Sequence, residues 1–397
     1  MQPLSLDTPS HGKSYAVSST NNEYRFYEFL PRLSLIPKNV NINGNERQWL
    51  YQTVIKEMNL DWVREIETEP SIYFAGKLVG KFANILVVAN NVLKDESLTN
   101  IGIEKLVKSL DILLGNERQF PLIYDTTYGG IISSAAHVTG DPMADFGSSY
   151  YNDVHFHAAY PVYAGSVLAS LQNLPDVLQK KLSIMIQSVN STKSTTKFCA
   201  YRTFDWYVGH SWAHGLMASA DGKDEESTSE AAHFYYSSAL FSEFTGDVNQ
   251  SKVSRLQLSV MKDSTQSYRL LDDSNTVMPL QWKSNRVGIC FENKRDYTTW
   301  FSPNIECIHG IHMLPLSPIT SYIRNPDFIS QEFESHLRQI FPTNTNWDSI
   351  IILNWAFSNN PYAAPYVKQF FETAADHHMD PGLSRSFAWV LASSNKK

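Results

Sequence analysis

Cysteine is nearly absent: Cys199, Cys290 and Cys307 are the only three in 397 residues. An odd, widely spaced set excludes a disulfide framework and offers no CxxC pair for zinc or redox chemistry. Clustered cations are missing too. The 33 Lys and Arg are scattered among 40 Asp and Glu, for a formal net charge of −7. Nucleic-acid binding needs a basic patch, so no nucleic-acid partner is expected and an uncharged substrate fits better. The most apolar stretch, 85–92 (ILVVANNV), reads as too short and interrupted to span a bilayer, and no membrane partner is expected. The N-terminus, MQPLSLDTPSHGKSYAV, lacks the basic start and apolar run of a signal peptide. The chain is therefore expected to be cytoplasmic, with secretion or a cell-wall location the alternative if its N-terminus is incomplete. Asn190-Ser191-Thr192 is a glycosylation sequon, meaningful only in a secreted chain. There is no GxSxG elbow, P-loop or HExxH, and a Ser–His–Asp triad has no local signature.

What is present is apolar and aromatic. Hydrophobic residues make up 43% of the chain, ample for a large core. The 20 Tyr, 21 Phe and 9 Trp fit that core, and some of them equally fit a groove that stacks on sugar rings. Residues 1–22, rich in Ser, Thr, Asn and Pro, read as a flexible lead-in, and 23–397 as one domain. Apolar residues recur at i, i+3, i+4 spacing near 46–58, 72–94, 102–115, 160–173, 176–190, 226–245, 250–271, 327–341, 347–358, 364–376 and 384–393, which predicts helices. In the second segment, Phe74, Leu78, Phe82, Ile85, Ala89 and Val92 fall on one stripe. Long polar, aromatic connections separate them at 120–152, 191–212, 221–225 and 272–318, the last with β-like runs VMPLQW and RVGICF. Such loops are uncommon in compact domains unless they carry function. About a dozen helices with loops at alternate junctions suggest a helical toroid.

Three constellations carry candidate chemistry. In 145–163 (DFGSSYYNDVHFHAAYPVY), Asp153 precedes His155 and His157 among tyrosines. Asp153 can act as a general acid if its surroundings raise its pKa. If the segment is extended, both His rings share one face. Sugar contacts, a satisfied structural cluster and a metal set all stay open for these residues, although no third ligand stands at a recognised spacing. In 204–216 (FDWYVGHSWAHGL), Asp205, Trp206, His210 and Trp212 combine flat apolar faces with hydrogen-bonding groups, as a pyranose requires; a buried aromatic turn is the plainer reading. In 221–236 (DGKDEESTSEAAHFYY), Ser, Thr and Glu open a helical pattern. Glu226 and Glu230, four apart, are expected on one helix face, where burial makes each raise the other's pKa; an exposed acidic first turn is the alternative. Two carboxylate centres on different elements are what glycoside hydrolysis needs.

These segments also resemble glycoside hydrolase family 81, the endo-β-1,3-glucanases. The matching stretches are YDTTYGGIISS (124–134), DFGSSYYNDVHFH (145–157), FDWYVGHSWAHGL (204–216), DGKDEESTSEA (221–231) and TTWFSPNIECIHGIHMLPLSP (298–318), with echoes at SIYFAGK (71–77) and RVGICF (286–291). The resemblance spans residue 45 or so to the C-terminus. It implies a mainly α fold, an (α/α)6 barrel with long loops and a few short strands, and inverting endo-hydrolysis of β-1,3-glucan or laminari-oligosaccharides without metal or cofactor. Asp153 then matches the general acid, Glu226 the general base, and Glu230 the glutamate beside the base. In that geometry the acid and base carboxyls are about 6.5–9.5 Å apart. His155, His157, Asp205, His210 and Trp212 fall on motif positions expected to bind substrate, as do Tyr124, Asp125 and Lys77. A monomer is expected.

Two departures accompany the resemblance. Family members carry a β-sandwich and a connecting domain ahead of the barrel, and most of that region is not in this sequence. The acid motif is close to YYNDHHFHYGY in the family, whereas Val154, Ala158 and Ala159 replace His, Tyr and Gly here. Ser148, Ser149 and His214 are slightly unusual. These departures motivate a second expectation, a catalytically weak glucan-binding or regulatory protein; a third is an unstable product of a truncated gene.

Overall fold

The computed structural model describes residues 29–37, 40 and 42–394, together with the backbone of 5–8 and 12–15. Most of the lead-in expected over 1–22 lies outside the described residues; its two described pieces, Ser5–Thr8 and Gly12–Tyr15, pair antiparallel.

Among the described residues, twelve helices build the barrel. They are α1 Gly44–Met58, α2 Ile72–Val87, α3 Glu96–Leu113, α4 Val154–Ala169, α5 Asp176–Asn190, α6 Thr228–Phe244, α7 Val248–Tyr268, α8 Ile305–Gly310, α9 Pro326–Glu332, α10 Trp347–Ala356, α11 Ala363–Thr373 and α12 Arg385–Ser393. The even-numbered helices form an inner ring in which α2 packs on α4, α4 on α6, α8 on α10, α10 on α12, and α12 back on α2. The α6–α8 junction is tied by Ser227 Oγ donating to the Ile311 carbonyl at 2.8 Å. Odd-numbered helices cover this ring from outside, which is an (α/α)6 barrel.

Sequence explains which helices are inner. Nearly every residue of α4, α6, α10 and α12 is apolar or small, and nearly every one is buried. A helix apolar all round has no solvent face. The outer α1, α5 and α11 keep a polar side. Close approach of α2 to α4 favours glycine: a Cβ on Gly80 would stand 3.2 Å from Tyr160 Cδ1. Side-chain caps set the starts, among them the Asn43/Glu46 capping box of α1, Ser71 on α2, Asp95 on α3, Ser227 on α6 and Ser384 on α12, each contributing about 1 kcal/mol.

Some boundaries and faces differ from the sequence reading. The stripe expected on α2 and its continuation is buried at Phe82, Ile85, Ala89 and Val92 and part-buried at Leu78, but Phe74 at its start is exposed, and Ala75, Gly76, Val79, Gly80 and Ala83 widen the buried face. With its continuation to Leu93, α2 spans 22 residues and is long and apolar enough to cross a membrane; here those faces are buried in the ring. α8 arises inside a stretch read as connection, because six residues are too few to show a period. VMPLQW is not a strand; its last three residues open the helical turn Leu280–Lys283. RVGICF does form one: Ile289–Phe291 lies between Asp224–Glu225 and Arg295–Asp296. The other long connections fold into the hairpins Leu122–Asp125/Gly130–Ser133 and Phe204–Asp205/His210–Ser211.

Candidate active site

A groove of about 730 Å³ opens over the N-terminal ends of the inner helices. α2 supplies Tyr73, Phe74 and Lys77, the segment leading into α4 supplies Phe146, Asn152 and Asp153, and the segment leading into α6 supplies Asp224 and Glu226. Trp300 and Phe301 close it from the connection to α8, and Trp347 from α10. Phe301 stacks on Trp347, with ring centroids 6.0 Å apart and planes 8° from parallel. The mixture suits a sugar chain: flat rings for the C–H faces of a pyranose, carboxylates for its hydroxyls.

Asp153 occupies the position before α4 with φ 57°, in the left-handed region. Its N–H donates to the Ala213 carbonyl at 2.9 Å and its carbonyl accepts from His157 N–H. Non-glycine residues are uncommon in that region and cluster at functional sites. Here the consequence is directional: the acid's side chain is turned out of the helix and into the groove. No donor to its carboxyl is found among the described residues. Burial, then the neighbouring carboxylates of Glu226, Asp224, Glu230 and Glu225, drive its pKa well above the ordinary aspartate range.

Glu226 is held otherwise. Ser227 caps α6, so Glu226 lies just outside the helix, and the expected pairing with Glu230 on one helix face does not occur. Glu226 Oε1 accepts from the Trp300 N–H at 2.9 Å and from the Thr299 hydroxyl. Burial raises its pKa, and those two donors oppose the rise. Arg269, itself buried, donates to the carbonyls of Glu225 and Glu226 and fixes the backbone behind the carboxylate.

Glu230 lies beneath the groove in the first turn of α6. It accepts from Tyr73 Oη at 2.8 Å and Tyr160 Oη at 2.6 Å. Burial moves its pKa up to about 7 against the pull of those hydroxyls and of Lys77. Sequence reasoning gives Tyr73 and Tyr160 no role; they come from α2 and α4, and no local spacing links them to Glu230.

The other sequence candidates are dispersed. Lys77 lines the groove and pairs with Asp380 at 3.1 Å. His155 and His157 do not share a face, because the segment is helical from Val154 and two residues on a helix point about 200° apart. His155 is buried against Glu225, at 3.4 Å, while His157 packs by Tyr73 and Phe146, with its pKa lowered to about 4 by burial. Asp205 closes its own hairpin, accepting from Trp212 Nε1 at 3.1 Å and from the N–H groups of Tyr207 and Val208. Burial would raise its pKa, but these donors hold it below the usual range. His210 is buried with its ring edge-on to Trp212 and Nδ1 2.7 Å from the Ser211 carbonyl. Asp125 accepts from Thr127 N–H and from Tyr151 Oη, both at 2.8 Å, and Tyr124 Oη donates to the Lys197 carbonyl at 2.8 Å. Apart from Lys77, none of these residues lines the groove. Val154, Ala158 and Ala159 are buried in α4, away from the groove lining. No cluster of three or more potential metal-ligating side chains occurs among the described residues.

Residues 41–391 match the model for the glycosyl hydrolase family 81 C-terminal domain. The chain is 33% identical over 378 residues to glucan endo-1,3-beta-D-glucosidase 2 of Saccharomyces cerevisiae, covering 92% of this chain and 47% of that protein. It is 36% identical over 331 residues to the primary septum glucan endo-1,3-beta-D-glucosidase of Schizosaccharomyces pombe, covering 81% and 32%. Among solved structures, a mutant of glycoside hydrolase family 81 from Clostridium thermocellum superposes with a TM-score of 0.74 at 21% identity, over 93% of this chain and 49% of that one. The chain thus spans half or less of the length of these relatives.

Proposed function

This chain belongs to glycosyl hydrolase family 81, and from that premise we propose that it hydrolyses internal β-1,3-glucosidic bonds of β-1,3-glucan with inversion at the anomeric carbon. The observation that carries the reading is the unequal treatment of two part-buried carboxyls that line the groove. Burial and four carboxylate neighbours favour the protonated form of Asp153, and the Thr299 and Trp300 donors favour the ionised form of Glu226. Carboxyls whose surroundings push their proton affinities apart divide into an acid and a base.

A glucan chain lies across the aromatic walls and places one glycosidic oxygen at Asp153. Asp153 donates its proton to that oxygen as the bond to the anomeric carbon breaks. Glu226 takes a proton from a water, whose oxygen bonds to the opposite face of the same carbon. The proton lost by Asp153 and the one gained by Glu226 return to their starting places through solvent. Glu230 does not reach the groove itself; it orients the Tyr73 hydroxyl and sets the local charge. Lys77 and the groove aromatics are substrate contacts, whereas His155, His157, His210 and Trp212 support the walls from behind.

Incubation with laminarin followed by product NMR tests this reading. New reducing ends released as α-anomers, together with mid-length oligosaccharides, are expected. Release of β-anomers, or no new reducing ends over long incubation, would overturn it; binding of laminari-oligosaccharides without cleavage would favour the regulatory alternative.

A further inference from the structure

In the groove wall that carries Trp300, which His214 and Asp224 also line, runs a chain of contacts that the acid–base pair does not account for. His214 Nε2 stands 2.6 Å from the Met217 carbonyl, and its Nδ1 2.9 Å from Asp224 Oδ1. The other Asp224 oxygen, Oδ2, accepts the Trp300 indole N–H at 3.0 Å. The Trp300 backbone N–H in turn donates to Glu226. A carbonyl can only accept, so His214 Nε2 is the donor to Met217, and Nδ1 is the ring atom that faces Asp224. Both imidazole nitrogens and both carboxylate oxygens are thus engaged. That leaves His214 and Asp224 one orientation each.

Local folding makes the arrangement rigid. Asp224 is paired with Phe291 in the three-stranded sheet, and its carbonyl accepts from the N–H groups of Ala213 and His214. Phe291 meets the Trp300 ring edge-on at 5.9 Å. Asp224 is 5% exposed, yet the indole that it holds is 65% exposed and lines the groove. An indole packed for stability would be buried. This one is fixed by its edge with its face left open, the geometry of a stacking surface for a sugar ring.

We propose that His214 and Asp224 are a positioning pair that locks the Trp300 indole as a sugar-stacking wall beside Glu226, so that one glucosyl unit is held next to the base. The pair acts on binding through Trp300 and does not touch the reacting atoms. It rests on the hydrolase reading above for the identity of the sugar, but not for the existence of the contact.

The test uses the full chain with its nine tryptophans labelled with 15N, the Trp300 indole signal being assigned by its loss in Trp300→Phe. His214→Ala is expected to move that signal towards a solvent-exposed indole, and His214→Gln, which keeps a donor facing Asp224, to restore most of the shift. Laminarihexaose is expected to perturb the signal in the unsubstituted protein. On the kinetic side, His214→Ala is expected to raise KM for laminarihexaose about tenfold, with the loss falling on KM rather than kcat. In Trp300→Ala the further His214→Ala change is expected to add nothing. An unmoved indole signal, or full additivity of the two losses, would overturn the proposal. Absence of hydrolysis by the unsubstituted protein would instead overturn the hydrolase reading, and the indole shifts would still decide the pair.

Discussion

Asp153 and Glu226 each stand just before an inner helix, one ahead of Val154 and the other ahead of the Ser227 cap, yet the segments leading into those helices hold their carboxyls in opposite ways. The chain approaches α4 through Asp145, Phe146 and Gly147, all with positive φ, and then through Tyr151 and Asp153. It delivers a carboxyl with no donor found among the described residues into a wall of acids. The approach to α6 is a strand, braced by Ile289–Phe291 and by Arg269, and it delivers a carboxyl to two waiting donors. The contrast shows that residue type sets what a group can do, and that the donors around it set which role it takes.

Removing either carboxyl should break that contrast completely. Asp153→Asn and Glu226→Gln are each expected to lower kcat/KM on laminarin by about 10³–10⁴-fold, with cooperative melts retained. Asp153→Asn should also melt no lower than the unsubstituted protein at neutral pH, since ionising the buried acid opposes folding. Turnover within tenfold of the unsubstituted enzyme in either variant would remove that residue from its assigned role.

A milder change blurs the contrast. In Thr299→Val, Glu226 loses one of the donors that oppose its raised pKa. The acidic limb of the kcat/KM profile should move to higher pH, with about a tenfold loss below neutrality that narrows as pH rises. A profile that only scales down, without shifting, would show that Thr299 does not tune the base.

Glu230 tests the floor of the site by stability. Its folded pKa of about 7 lies above the usual 4.5, so the folded form holds a proton that the unfolded chain releases. That contribution is complete below pH 4.5 or so and is lost as pH rises through 7. Glu230→Gln still accepts from Tyr73 and Tyr160 but does not titrate. It should therefore gain on the unsubstituted protein between pH 5 and 8, by on the order of 3 kcal/mol at the upper end. Parallel stability curves over that range would contradict the buried-acid assignment.

The smallest effect is expected at the hairpin, away from the groove. Asp205→Asn weakens the Trp212 contact and the turn, at a cost of about 1 kcal/mol, and should leave hydrolysis of laminarihexaose within about twofold. A selective loss on long laminarin would instead show that the glucan path runs over this hairpin.

The site is legible in the sequence to an uneven degree. Asp153, Glu226 and Glu230 stand in long ordered motifs, and Ser227 announces the helix start three residues before Glu230. An extended reading makes His155 and His157 neighbours on one face, because the sequence does not mark where α4 begins; Pro161 lies within that helix. Thr299 and Trp300 stand inside a motif that gives them no role, since their partner is more than seventy residues away. The sequon at Asn190 also takes another meaning in three dimensions: Asn190 is buried and its amide pairs with Gln257.

By itself, the sequence determined the helical class, the alternation of helix and long connection, and the family motifs that carry the carboxylates. Periodicity and caps are local, and a local pattern survives without knowledge of the fold. Only the tertiary structure decided which six helices form the inner ring, that Glu226 lies outside its helix, and that Glu230 faces tyrosines from α2 and α4. It also decided which of the two carboxyls ahead of the inner helices meets donors. Proton affinity depends on what surrounds a group in space, and here those surroundings come from stretches far apart in the chain.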